Sequence, residues 1–262
     1  MKKIFLKIFF ISLIISQNLF AQHTDTSKFT FNKWIKNYPS HFYRGFEYGF
    51  LKENKPLTLI SNSILVLTLS RFDNDISQKF RNKPFLSDDI SNIADSYGKT
   101  LGWGYFAGVG FITLEGIIHK DKFEEYFFKI ERVMESIAMT QLITQTLKMT
   151  TFRERPNRND NHSFPSGHTS SSFALAASLD GLYGINVGLP AYIFATIVGL
   201  QRINSNSHYL SDVLAGAMIG VFVGNGFSNL HSTMSSKTQT VRIIPNFDPE
   251  NLSSGLLIRI DF

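Results

Sequence analysis

Arg202-Ile203-Asn204-Ser205-Asn206-Ser207-His208-Tyr209-Leu210-Ser211-Asp212 runs straight into Val213–Leu230, 18 residues without a charged side chain. Upstream of it, Gly181–Gln201 is a second uncharged run, of 21 residues. Two long apolar helices meeting at a polar segment with a His and an Asp make this an all-α chain that carries its chemistry between helices. Working outward, the apolar spacing predicts helices over 41–53, 56–72, 88–119, 122–152, 169–183, 186–202 and 211–230. This is a bundle of about six to seven helices without internal repeats.

Whether these helices cross a membrane is decided by charge. Only the two runs quoted approach the roughly 20 residues a span requires. Glu115, Glu135 and Asp180 interrupt the others, at about 2.5–3.5 kcal/mol for each charge placed at a bilayer centre. The count favours a soluble bundle with two deeply buried helices. Membrane spans stay open, because helices apolar all round occur in both settings.

The ends differ from the middle. Lys2, Lys3 and Lys7 precede and flank the apolar run Ile4–Ile15, with Leu19-Phe20-Ala21 following. Residues 1–21 therefore read as an export signal, with a mature chain from about Gln22 that works in the periplasm. The alternative is an uncleaved anchor. Residues 232–240 are polar and read as a linker; Val241–Ile244 and Leu256–Phe262 then alternate as strands around a turn rich in Pro, Asn, Asp and Gly. A small C-terminal β-hairpin is expected over 232–262, and 22–231 form the helical domain.

Composition removes several functions. The 262 residues include no cysteine, which excludes a disulfide scaffold, a thiol nucleophile and cysteine metal sites. The net charge is +5, but it falls to +2 without the three N-terminal lysines. No basic run remains to follow a nucleic-acid backbone, so no nucleic-acid partner is expected.

Three stretches place polar residues where a core would have none. Lys148 and Arg155 lie seven apart, on one helical face, and Pro156 ends that helix. Pro165-Ser166-Gly167-His168 opens the next apolar helix, whose free first-turn N–H groups favour an anion. His208 and Asp212 are four apart, so one turn can bring the carboxylate to the imidazole. Singly, each reads as a capped helix end or a surface pair. Together, three cations, a Ser-Gly loop and two histidines read as a phosphate site.

This arrangement closely resembles the type 2 phosphatidic acid phosphatase and vanadium haloperoxidase superfamily. Its signature is Lys, six residues, Arg-Pro; then Pro-Ser-Gly-His; then Ser-Arg, five residues, His, three residues, Asp. Lys148, Arg155-Pro156, Pro165–His168, Arg202, His208 and Asp212 all match across 148–212. Gln201 stands where the pattern has Ser, which bears on substrate fit.

The resemblance implies an exported phosphomonoesterase acting on lipid phosphates or small phosphate esters, in association with a membrane where the substrate is a lipid. It implies His208 as nucleophile, Asp212 as the group orienting it, and His168 as general acid and base. Lys148, Arg155, Arg202, Ser166 and the Gly167 N–H are the implied phosphate ligands. Three fixed cations can do the work of metal ions in phosphoryl transfer, so no metal or other cofactor is expected. A vanadium-dependent haloperoxidase and an integral-membrane lipid phosphatase or phosphotransferase are the alternatives. Arg158, in the polar loop 157–162, could meet a second anionic group.

Overall fold

The computed structural model describes residues 31–52, 54–99, 102–232, 240–248 and 253–261. The expected export signal lies outside them, as do most of the linker and the turn of the hairpin. The chain divides into two units, Met1–His41 and Phe42–Phe262. Of the first, the described part is the opening of a helix.

Nine α-helices run through the described residues: α1 Phe31–Phe50, α2 Lys55–Leu69, α3 Asp73–Asn82, α4 Asp88–Gly98, α5 Trp103–Ile118, α6 Phe123–Thr151, α7 Gly167–Tyr183, α8 Ile185–Asn204 and α9 Leu210–Ser232. A 3₁₀ turn, Ser70–Phe72, joins α2 to α3. The fold is a helical bundle, as the periodicity predicts, with three differences. The helix expected over 41–53 begins already at Phe31 and ends at Phe50. The short, mostly polar α3 offers only Ile76 and Phe80 at helical spacing, too little to announce it. The helix expected over 88–119 breaks into α4 and α5 with a bend of 65°. Gly102 forms that break: a Cβ there would lie 2.3 Å from the Ser96 carbonyl oxygen and 2.8 Å from that of Tyr97, closer than any side chain allows.

Helix α7 is the axis of the bundle, against α6, α8 and α9. From Thr169 to Asp180 only Phe173 is not buried. Its small residues let α9 approach closely. Gly216, Gly220 and Gly224 recur every four residues on α9, and a Cβ on each would strike α7 backbone: the Ser166 oxygen at 2.6 Å, the Ser170 oxygen at 2.3 Å and the Ala174 oxygen at 2.8 Å. Small residues at i, i+4 are the usual means of such contact. Two buried hydroxyls of α7 are paired across the interface with α6. Ser178 pairs with Ser136 at 2.7 Å, and Ser170 with Thr144 at 3.0 Å. Buried polar groups are tolerable only when paired in this way.

Apolar packing closes the bundle on two sides. Ile112, Val133, Leu175, Ala195 and Val198 form one buried cluster among α5–α8. Phe50, Met139, Ile219, Phe222, Val223 and Phe227 form another, with Phe50 stacked on Phe222 at 5.6 Å between ring centroids. Other apolar side chains point outward: Ile60, Ile64 and Leu67 on α2, Phe106, Ile117 and Ile118 on α5, and Leu189, Ile193 and Phe194 on α8. At the C-terminus, β1 Thr240–Asp248 pairs antiparallel with β2 Ser253–Asp261, with Val241 opposite Ile260 and Ile243 opposite Ile258.

Candidate active site

Four chain segments converge at one end of the bundle: the C-terminus of α6 with the loop after it, the first turn of α7, the end of α8 with its loop, and the first turn of α9. The α8–α9 loop folds back so that the Arg202 carbonyl accepts both the Ser207 and the His208 N–H at 3.1 Å. This double bond sets His208 beside the end of α8. Asn204 receives the N–H groups of Phe85 and Leu86, and Asn206 accepts from Ser77, so α3 and its exit brace the same loop.

His208 is 3% exposed. Its Nδ1 lies 2.7 Å from the Ser163 carbonyl oxygen. A carbonyl can only accept, so Nδ1 carries the proton and Nε2 keeps its lone pair. The Asp212 carboxylate stands 3.7 Å from Nδ1, within ion-pair range but beyond a hydrogen bond. The four-residue spacing therefore brings His208 and Asp212 together, while Ser163 takes the hydrogen bond expected of Asp212. Burial pushes the imidazole down to about 4 against the pull of Asp212, and Lys148 and Arg155 add to the depression. The neutral ring presents Nε2 to Arg155, whose Nη1 is 3.1 Å away.

Asp212 is fully buried and heavily bonded. It accepts from the Ser163 hydroxyl, the Tyr209 N–H at 2.9 Å and Arg153 Nη1 at 2.7 Å. Arg153 also reaches Asp73 on α3 at 2.6 Å and lies 4.4 Å from the centre of the Tyr209 ring. Asp73 in turn accepts from the N–H and the hydroxyl of Ser211.

The remaining cations frame the pocket. Lys148 Nζ donates to the His162 carbonyl at 2.6 Å, tying the loop over the end of α6. Arg155 is held by Asp160 at 2.7 Å and by the Ser207 carbonyl at 3.0 Å. Its main-chain neighbours border a polar cleft of about 200 Å³ that Arg158, Arg81, Gln78 and Tyr209 also line. Arg202 Nη2 meets Asp95 of α4 at 2.5 Å, and its Nε donates to Gln201 at 2.6 Å. Gln201 donates to Ser91 of α4 at 3.1 Å. The residue that departs from the signature thus anchors Arg202 to a helix outside the motif. His168 Nε2 lies 3.6 Å from the same Asp95 carboxylate.

Ser166 occupies the cap position of α7, but its hydroxyl pairs with Thr169 at 2.9 Å and makes no cap bond. Its N–H goes to the Asp212 carbonyl at 2.9 Å, and the ladder of α7 begins at Ser170. Helix geometry leaves the N–H groups of Gly167, His168 and Thr169 open. A Cβ on Gly167 would stand 3.8 Å from the Lys148 side chain, an ordinary contact. The protein alone does not demand glycine there; a ligand drawn against the backbone would. The expected residues therefore form two neighbouring groups, Lys148, Arg155, Ser166, Gly167, His208 and Asp212 in one and His168 with Arg202 in the other. The α8–α9 loop and the first turn of α7 join them. Arg153, Ser163, Asp73 and Asp95 complete the site. No local pattern marks the two aspartates, because their partners in the site, Arg153, Arg202 and Ser211, lie 80, 107 and 138 residues away along the chain.

A cationic pocket at a helix N-terminus, with one histidine held in a single tautomer and a second beside it, is an arrangement that can bind a phosphoryl group. Residues 132–235 match the model described as the PAP2 superfamily. It is 40% identical over 75 residues to a lipid A 1-phosphatase of Porphyromonas gingivalis, covering 28% of this chain and 17% of that protein. It is 42% identical over 84 residues to a probable lipid phosphate phosphatase 4 of Arabidopsis thaliana, covering 26% of this chain and 27% of that protein. The chain thus matches well under a third of the length of these curated relatives. The crystal structure of a transmembrane PAP2 type phosphatidylglycerolphosphate phosphatase from Bacillus subtilis superposes with a TM-score of 0.55 at 16% identity, over 71% of this chain and 100% of that one. At that identity the likeness is one of fold.

Proposed function

We propose that this chain is a membrane-bound phosphatase of lipid phosphate monoesters that works through a phosphohistidine at His208. The observation that carries the reading is the fixed tautomer of His208, whose unprotonated Nε2 faces Arg155 in a buried cationic pocket. In the first step Nε2 attacks phosphorus, the N–P bond forms and the P–O ester bond breaks. The departing alkoxide takes a proton from His168. In the second step water attacks phosphorus and gives its proton to His168; the N–P bond breaks and its electron pair returns to Nε2. Lys148, Arg155, Arg202 and the open N–H groups of α7 hold the non-bridging oxygens, and Asp212 stabilises the positive ring.

The named lipid substrates of the relatives support the choice of a lipid ester. The outward apolar side chains of α2, α5 and α8 support a domain set among acyl chains, since soluble proteins rarely expose apolar patches on that scale. These faces outweigh the charge count that favours a soluble bundle: Glu115 is tied to Lys129 at 2.9 Å and is largely covered, so the charge that interrupts its run is paired. The lysine-flanked N-terminal segment supports export, with the site on the periplasmic side.

The test is hydrolysis by the purified full chain of phosphatidic acid in mixed micelles, compared with p-nitrophenyl phosphate. Turnover of the lipid, retained in EDTA and lost with vanadate, is expected. Loss in EDTA with recovery on adding a divalent ion would contradict the reading, as would extraction of the protein from membranes by carbonate alone.

A further inference from the structure

His168 has a partner that neither the signature nor the comparisons assign. The ring is mostly covered, with 26% of its side chain exposed, and Nε2 is buried without a hydrogen bond. The charged and titratable groups facing it are Arg202 from α8, Lys99 and Asp95 from α4, and His208 from the α8–α9 loop. Burial does most to disfavour a protonated imidazole, and the cations Arg202 and Lys99 add to it. Asp95 is the acid among them, and its Oδ1 is 3.6 Å from Nε2.

The carboxylate is also fixed from two sides. Arg202 holds Oδ1 at 2.5 Å and Lys99, the residue just past the end of α4, holds Oδ2 at 2.6 Å. Its reach toward α7 depends on Gly98, where a Cβ would lie 2.5 Å from Val198 and 3.2 Å from the His168 Cβ. The end of α4 is thus packed onto the general acid at a spacing that a larger residue would open.

We infer that Asp95 is the positioning residue of His168: on protonation of the ring it accepts the Nε2–H, leaving the Nδ1 proton for the leaving oxygen. The site then contains two His–carboxylate pairs of opposite purpose. Asp212 and Ser163 serve a histidine that must stay unprotonated until it attacks; Asp95 serves one that must carry a proton through a ring of cations. When the ester oxygen leaves, the Nδ1 proton passes to it, and the ring returns to neutral with Nε2–H still on Asp95. This inference rests on the phosphatase reading above.

The experiment compares kcat of the full chain and of Asp95→Asn on two monoesters, phosphatidic acid and p-nitrophenyl phosphate. Alkoxide needs the proton; nitrophenolate leaves without one. General acid catalysis contributes about 10²–10⁴-fold. Asp95→Asn is therefore expected to lower kcat on the lipid by about 100-fold or more and on the nitrophenyl ester by less than about tenfold, and Asp95→Glu is expected to recover part of the lipid activity. A residue that merely holds Arg202 would serve both substrates alike, so equal losses, or no loss on either, would overturn the inference. Should Asp95→Asn fail to keep its helical circular dichroism, Asp95→Ser reads the same ratio. If the unmutated chain hydrolyses neither ester, the phosphatase reading itself falls; if it hydrolyses both and the variants behave like it, only the role of Asp95 falls.

Discussion

Arg153 shows how much one side chain outside the signature can carry. It lies between Lys148 and Arg155 and joins two carboxylates, Asp73 and Asp212, that are 2% and 0% exposed. Removing it strands both in a low-dielectric site, and breaking a buried pair from one side costs about 3–5 kcal/mol. Arg153→Met is expected to lose stability on that scale in thermal unfolding and to lose turnover as well, since Asp212 is then free to turn. Retained stability would mean that the two carboxylates do not depend on it. His208 gives a second prediction at this scale. The unfolded ring titrates near 6.5 and the folded one at about 4. Between those values the unfolded chain holds a proton that the folded chain lacks, so stability falls as pH drops through 6.5 and the loss levels off below 4. His208→Gln should reduce that slope, to which buried His168 also contributes, when denaturation midpoints are compared across pH 4–7. An unchanged slope would place the ring in water. The two histidines, their cations and Asp212 were legible in the sequence because they sit at fixed short spacings. Asp73, Asp95 and Ser163 were not, because only the packing of α3, α4 and the 152–166 loop brings them in.

Among the elements, α7 and α9 decide where the site can form, since Ser166 and Asp212 are joined backbone to backbone at the head of both helices. Their contact depends on the glycine row of α9. Gly220→Ala would put a methyl 2.3 Å from the Ser170 carbonyl, so the helices must separate. We expect it to be destabilising by about 2–3 kcal/mol, in the range of overpacking, with turnover falling as the two heads part. Gly110→Ala on α5 is the control, because nothing lies within 4 Å of the added carbon; there the gain in helix propensity, about 1 kcal/mol, should win. Thermal unfolding of both variants checks the pair, and equal effects would mean that the close approach is not what sets α9 in place. The apolar period predicted α6 to α9 to within about two residues at each end, as is usual for long periodic segments. It missed α3, a short and mostly polar helix whose two apolar residues, Ile76 and Phe80, are too few to mark a period and which is held by tertiary bonds. It also fused α4 with α5, because a single Gly102 in an apolar run carries little signal until the carbonyls it must clear are known.

At the scale of the molecule, one buried end of a helical bundle gathers positive charge from α6, α7 and α8 and shields the neutral His208 among them. The outer faces of α2, α5 and α8 are apolar where a soluble bundle would be wet. This combination suits a substrate whose phosphate must leave the membrane surface while its chains remain in it. Overall helical character was readable from residue order, but the outward direction of Ile64, Phe106 or Ile193 was not, since apolar helices look alike until their neighbours are placed. The central claim is the covalent phosphate on His208. The most direct measurement is rapid quenching of the full chain with ³²P-labelled phosphatidic acid, followed by a test of the label in acid and base. Label is expected on the unmutated chain, labile in acid and stable in base; it should accumulate in His168→Ala when a nitrophenyl ester is the donor and be missing from His208→Ala. Label that persists in folded His208→Ala, or turnover of the lipid by that variant, would contradict it.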